Sequence, residues 1–185
     1  DGWFNLLASM GGNNDRRSRT SYSAGALLAE KDLENIYRYN GFARKIVDLP
    51  AFEMTREWVE IENDPENHGL QKLDKLNAKQ ALRDACKWGS LYGGALVVMG
   101  IDDGGLLEQP VNENGIRNVE WLRVYDRHQV SWTTADVNQN PESPYFGEPE
   151  YYTISAYTAG SMFRVHASRV LIHYGTDIPE RARVA

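Results

Sequence analysis

The run Ala95-Leu96-Val97-Val98-Met99-Gly100-Ile101 constrains this chain more than any other stretch, because it has no polar alternation. A strand of that kind must be covered on both faces. Its valine content and the turn residues Asp102-Asp103-Gly104-Gly105 that follow it predict a short buried strand. One cover lies just upstream, where Ala78, Leu82, Ala85, Cys86 and Gly89 recur at helical spacing and form a small-residue face against which something packs closely. Asn77 with Gln80 three residues on resembles a capping-box variant at the start of that helix. Gly93-Gly94 ends it, since glycine takes the positive φ a helix stop needs.

The flanking segments divide by period. Leu33, Ile36 and Tyr37 recur at helical spacing from Leu27 onward, Gly41 interrupts, and Phe42, Ile46 and Val47 resume the pattern, which predicts two short helices. Pro50 suits a helix first turn, so a further helix is expected through Phe52 and Met54. Trp58-Val59-Glu60-Ile61-Glu62 alternates like a strand. Asn63-Asp64-Pro65 is a turn signal, and Leu70, Leu73 and Leu76 restart a helix. The second half reads as sheet, with strands expected at 119–125, 129–134, 150–156, 161–165 and 169–174. Helices first and strands later predict an α+β fold, N-terminal helices followed by a mainly antiparallel sheet, and no internal repeat is found. Residues 9–25 are polar, Gly-rich and without period, so residues 1–25 are expected to form an extended arm on a domain spanning 26–185. Arg16, Arg17 and Arg19 in that arm read as a solvated charge run.

Composition narrows function. A formal charge of -6 and a pI near 5.3 give no general attraction to phosphate, which argues against a DNA reader. A single cysteine, Cys86, supplies neither an intrachain disulfide nor a four-thiolate zinc site; it fits a reducing compartment and reads as a buried inert thiol. No stretch reaches the ~18 uninterrupted apolar residues of a membrane span, and the start lacks a basic-then-apolar leader. A soluble, unexported protein is expected, with no membrane partner. The missing initiator methionine and the uncapped stretch Glu180 to Ala185 predict that both ends are cut.

The usual chemical constellations are absent as spacings. The glycine clusters at 11–12 and 89–94 lack the lysine and hydroxyl spacing of a phosphate loop. His68, His128, His166 and His173 show no helical zinc pair, and only His166 and His173 fall near each other, on strands that could be adjacent. His166-Ala167-Ser168 resembles one half of a two-histidine phosphodiesterase motif, yet His173-Tyr174-Gly175 has no hydroxyl at the matching place. The acidic middle, from Asp102 to Glu150, lacks a calcium-loop spacing and reads as solvated surface. No serine elbow is present. No catalytic, cofactor-binding or metal residue is therefore assigned, no cofactor is expected, and the chain reads as a non-enzyme.

Several unusual strings remain: Asp1-Gly2-Trp3-Phe4-Asn5, Ala43-Arg44-Lys45-Ile46-Val47-Asp48-Leu49-Pro50-Ala51 followed by Arg56-Glu57-Trp58, Gly89-Ser90-Leu91-Tyr92-Gly93-Gly94-Ala95, Tyr145 to Tyr152, His166-Ala167-Ser168-Arg169-Val170-Leu171 and Gly175-Thr176-Asp177-Ile178-Pro179. In content and order these resemble a bacteriophage portal family long labelled as a phage-related protein of unknown function. The resemblance covers most of the chain and implies the outer, wing portion of a portal subunit, without the stem, clip and crown. It implies a homo-oligomeric ring, usually dodecameric, at one capsid vertex of the virion, assembled in the host cytoplasm. Its partners would be terminase, the major capsid protein, head–tail adaptor proteins and double-stranded DNA that passes without sequence readout during packaging and ejection. A net acidic chain suits a channel through which DNA slides. Arg44, Arg56 and Arg169 are candidates for ion pairs within or between subunits. Trp3, Phe4 and Trp58 are candidates for contact with a neighbour or for the subunit's own core. The resemblance also implies two alternatives: the N-terminal portion of an anti-defence nucleotide phosphodiesterase, and a minor head or scaffold interaction module.

Overall fold

A computed structural model describes residues 28–62, 64, 66–156 and 160–175. The expected arm, Trp3, Phe4 and the strings at 1–5 and 176–179 lie outside those residues. Helices precede strands, and the fold is α+β as the sequence predicts.

Helix α1 (Glu30–Tyr39) and helix α2 (Gly41–Met54) meet at Asn40, whose side-chain oxygen accepts from the N–H groups of Phe42 and Ala43. That satisfies two of the donors a helix start leaves open. Pro50 does not open a new helix: α2 runs through it to Met54. The buried residues of α2, Val47 and Ala51, stand on either side of the proline, and α2 packs on α1 and α4, so burial offsets the one hydrogen bond that proline forfeits. Residues 58–62 form no strand, because no neighbour supplies a ladder. Instead Lys79 holds this segment, with its Nζ 5.9 Å from the Trp58 ring centroid and bonded to the carbonyl of Arg56.

Helix α3 (His68–Lys75) is capped by Asp64, whose carboxylate accepts from the N–H groups of His68 and Gly69 at 3.0 and 2.7 Å. Helix α4 (Ala78–Tyr92) begins differently from the expected capping box. Asn77 takes a left-handed backbone, φ 51°, instead of the extended backbone a side-chain cap requires, and Gln80 donates to Asp84. Gly93, φ 86°, ends α4 as expected and donates to the carbonyl of Gly89.

Strand β1 (Gly94–Asp102) then runs antiparallel between β2 (Asn118–Asp126) and β6 (Val170–Tyr174). Strands β3 (Val130–Ser131), β4 (Tyr151–Ser155) and β5 (Met162–His166) form a second antiparallel sheet in that order. The apolar run of β1 is covered on both faces. Leu96 and Val98 join Tyr125, Tyr152, Ile154, Val165 and Val170 in a core that draws on both sheets. Ala95 and Val97 pack with Ala85, Trp88, Leu122 and Val124 under α4. The layers are therefore helix, sheet and sheet.

Three of the five positions in the small-residue stripe of α4 are buried, Ala78, Ala85 on β1 and Gly89 against His173, while Leu82 stays exposed and Cys86 is half-buried, not buried as expected. Burial still pushes the Cys86 thiol pKa up, which leaves it a poor nucleophile. β3 is much shorter than the expected strand over 129–134. Asp136 accepts from both the N–H and the hydroxyl of Thr133 and bends the chain into a short turn at Thr134–Asp136.

Candidate functional site

The His166-Ala167-Ser168-Arg169 string is where the most polar chemistry converges. Strand β5 ends at His166, one turn of 3-10 helix follows over Ala167–Arg169, and β6 starts at Val170. The turn is set by His166 itself, whose Nδ1 accepts from the N–H of Ser168 at 3.1 Å and lies 2.9 Å from its Oγ. An accepting Nδ1 requires the neutral ring. Burial lowers the His166 pKa, and Glu150 opposes that shift while Arg169 reinforces it.

The turn drives Arg169 inward, where its side chain is 1 % exposed. Its guanidinium donates through Nη2 to Asp103 Oδ2 at 2.7 Å and through Nε to the carbonyl of Gln109 at 2.7 Å. Longer contacts reach the carbonyls of Ile101 and Pro110. Asp103 also accepts from the N–H groups of Asn112 and Gly105. Those two backbone donors, with the Arg169 guanidinium, hold its carboxyl down at about 2. Ser168 Oγ accepts from the N–H of Val111, and the N–H of His166 donates to the carbonyl of Leu107. The string and the β1–β2 loop thus form one clasp, closed by a planar fork that lysine cannot reproduce.

The Ser168 hydroxyl and the His166 N–H hold that loop, and His166 Nδ1 holds the turn. The partner histidine is elsewhere: His173 lies in β6 opposite Ala95, whereas His166 lies in β5 opposite Tyr151, in the other sheet. His68 faces Glu66 at 3.1 Å and His128 faces Glu30 at 3.8 Å. Among the described residues, no group of three or more His, Cys, Asp or Glu is placed to hold a metal ion.

The other singled-out arginines are local. Arg44 donates to the carbonyls of Tyr37 and Arg38, and Arg56 pairs with Glu53 at 3.0 Å on the surface. Of the three arginines left open between intradomain and intersubunit roles, Arg169 is a buried intradomain pair. A second clasp joins Arg164 to Asp136 and stacks Arg164 4.0 Å over the Tyr151 ring. Trp58 is half-buried and carries Lys79 on its face. The acidic middle reads in the sequence as solvated surface, but Asp103 and Asp136 within it are buried, each drawn in by hydrogen bonds and an arginine. The available signal was Arg169 itself: a guanidinium beside the apolar run Val170-Leu171-Ile172 needs a carboxylate if it is buried.

Residues 31–185 match the family described as phage portal protein. The chain belongs to the phage portal protein family. A relative from Sphingomonas paeninsulae, named anti-CBASS protein Acb1, is 32% identical over 96% of this portal-family chain and 28% of its own length. One from Caulobacter sp., bearing the same name, is 25% identical over 97% of the chain and 29% of its own length. An uncharacterized protein of Haemophilus influenzae is 28% identical over 97% of the chain and 41% of its own length. The portal-family chain thus spans less than a third of the two anti-CBASS relatives. No helix among its described residues is long and apolar enough to cross a membrane.

Proposed function

We propose that this chain is the portal-type assembly module of a phage protein that counters a host defence. The observation that carries the reading is the coincidence of two findings on one stretch. Residues 31–185 match the portal family, and two relatives named anti-CBASS align along nearly the whole of the same chain. Ser168 Oγ and His166 Nδ1 of the half motif are engaged in the clasp and its turn, and His166 and His173 sit in different sheets. A two-histidine phosphodiesterase needs a base and an acid facing each other. Under this reading the module supplies assembly contacts, and any nucleotide-cleaving groups come from residues other than these. The test is a phage carrying an in-frame deletion of the whole gene or of its portal-type part, plated on hosts with and without the defence. A plating defect confined to the defended host supports the reading; an equal defect on both hosts refutes it.

The family match favours a second reading: a structural subunit of the portal ring itself, with terminase, capsid and head–tail adaptor proteins as partners and DNA passing through without readout. Closed rings with a central channel in negative-stain images of the full-length protein, matched by mass, would support it. A persistent monomer under assembly conditions that hydrolyses cyclic nucleotides would remove it in favour of the enzyme.

A further inference from the structure

The connection between β3 and β4 carries aromatic side chains that neither hydrophobic core uses. Residues 138–148 form a closed loop. The N–H of Asn138 donates to the carbonyl of Glu148, the N–H of Gly147 donates back to the carbonyl of Asn138, and Val137 bridges Pro149 at the base. Side chains of the loop bond to its own backbone: Asn138 Oδ1 accepts from the N–H of Asn140, Asn140 Oδ1 from that of Glu142, and Ser143 Oγ from that of Tyr145. Asn138 Nδ2 also donates to Ser143 Oγ. A loop tied in this way holds its outward side chains in one arrangement, and compact loops of this kind often carry function. What it presents is Tyr145 and Phe146, 64% and 57% exposed, with the exposed carboxylates of Glu142 and Glu148 on either side of them in the chain. Residues 129–163 contain no lysine or arginine, so no cation from this part of the chain offsets those charges.

Helix α2 carries a surface that is also apolar but flanked by the opposite charge. Phe42, Ile46 and Leu49 form an exposed stripe on the side away from the buried Val47 and Ala51. Lys45 and Phe52 flank that stripe, and Arg83 of α4 stands 5.2 Å from the Phe52 ring centroid. Glu53, next along the stripe, is paired with Arg56, which leaves Lys45 and Arg83 to set the sign. The layers run α2, α4, the sheet β2-β1-β6 and then the second sheet, to which the 138–148 loop belongs. The loop and the stripe are therefore in opposite outer layers of one chain, an arrangement suited to contact between copies and not within one.

We propose that the Tyr145–Phe146 loop of one copy docks on the Phe42, Ile46 and Leu49 stripe of a second copy, with Glu142 and Glu148 facing Lys45 and Arg83. Aromatic anchors entering an apolar patch supply the affinity, and rim charges of opposite sign set the orientation. Because the two surfaces differ, the contact is head-to-tail: each docked pair still offers one loop and one stripe, so association continues until the rotation closes it. The inference rests on the assembly reading above and names its self-contact, whereas the defence role is tested separately by plating.

The test is sedimentation velocity on the full 185-residue chain over a range of concentrations, with two variants. Tyr145→Ser with Phe146→Ser removes the loop anchors and keeps the stripe; Ile46→Glu blocks the stripe and keeps the loop. All three side chains are exposed, so the described core is untouched, and an unchanged circular dichroism spectrum verifies it. The parent is expected to grow past a dimer as concentration rises. Each variant alone should show an association constant lowered about thirtyfold, the loss typical of an interface anchor. An equimolar mixture of the two should restore association but stop at two chains, because the only intact pairing left is the loop of the Ile46→Glu copy on the stripe of the other. A variant that associates like the parent overturns the inference and leaves assembly to other surfaces. A parent that stays monomeric, or a mixture that does, overturns it outright.

Discussion

Replacing Arg169 with methionine asks whether the clasp holds the β1–β2 loop to the core. The exchange keeps most of the side-chain bulk and removes the charge and the fork. In the native chain the guanidinium makes two short bonds, to Asp103 and to the carbonyl of Gln109, and its side chain is almost wholly buried. Breaking a buried pair from one side costs about 3–5 kcal/mol, because the partner is left charged and uncompensated. Asp103 keeps two backbone donors, from Gly105 and Asn112, so the lower end of that range, ~3 kcal/mol, is expected here. In a domain of this size that corresponds to a fall in Tm of roughly 6–12 °C. Equilibrium unfolding in urea, read by circular dichroism, measures it as a lower midpoint at unchanged slope. Arg169→Lys keeps the charge but not the fork and is expected to fall between the two. If Arg169→Met unfolds within ~0.5 kcal/mol of the parent, the typical range for an inconsequential surface substitution, the clasp contributes nothing and the argument fails.

The same clasp has two pH signatures and the α4–β6 contact a steric one. Asp103 titrates at about 2 when folded, below its ordinary value, so its contribution is present above about 4 and is lost as pH falls toward 2; acid unfolding curves of Asp103→Asn should lack that loss. The His166 pKa is lowered on folding, so its contribution is complete above the ordinary histidine range and declines as pH falls through ~6.5, where the unfolded chain binds the proton first. Comparing Tm at pH 7.5 and 5.5 in parent and His166→Gln checks this, and an identical drop in both would assign the effect to other groups. Gly89→Ala would ordinarily help a helix by about 1 kcal/mol. Here a Cβ would stand 2.4 Å from the His173 ring, so a net loss of about 1–3 kcal/mol is expected in thermal unfolding, and a stabilised variant would show that the helix–strand spacing yields.

What could be read from the sequence follows the range of the forces involved. The β1 run, the Gly93 stop and the order of helices before strands are local signals, because period and turn chemistry act over a few residues, and the structure bears them out. The errors occur where a distant neighbour decides. Pro50 was expected at a helix start on its own chemistry, but burial at Val47 and Ala51 carries α2 through it. The Trp58–Glu62 alternation has strand period but no partner strand, and period alone does not make a ladder. Asn77 and Gln80 have cap spacing, yet the tight passage from α3 to α4 puts Asn77 at positive φ.

The clasp was visible only by half, and the reason bears on function. A string such as His166-Ala167-Ser168 invites a catalytic reading because its residue types can carry a proton, but residue type does not fix what each atom is already doing. Here the imidazole Nδ1, the serine hydroxyl and the neighbouring guanidinium each bond to backbone groups about 57 to 60 residues away, or to their own turn. A general base must be free to take a proton from substrate, and Nδ1, committed to the turn that aims a buried arginine, is not free without disturbing that arginine. The buried fork holds the β1–β2 loop at a fixed position on the sheet. If the proposed function holds, His166→Gln should shift stability with pH while leaving any phosphodiesterase activity of the full-length protein unchanged; a loss of that activity at unchanged stability would return His166 to the catalytic reading.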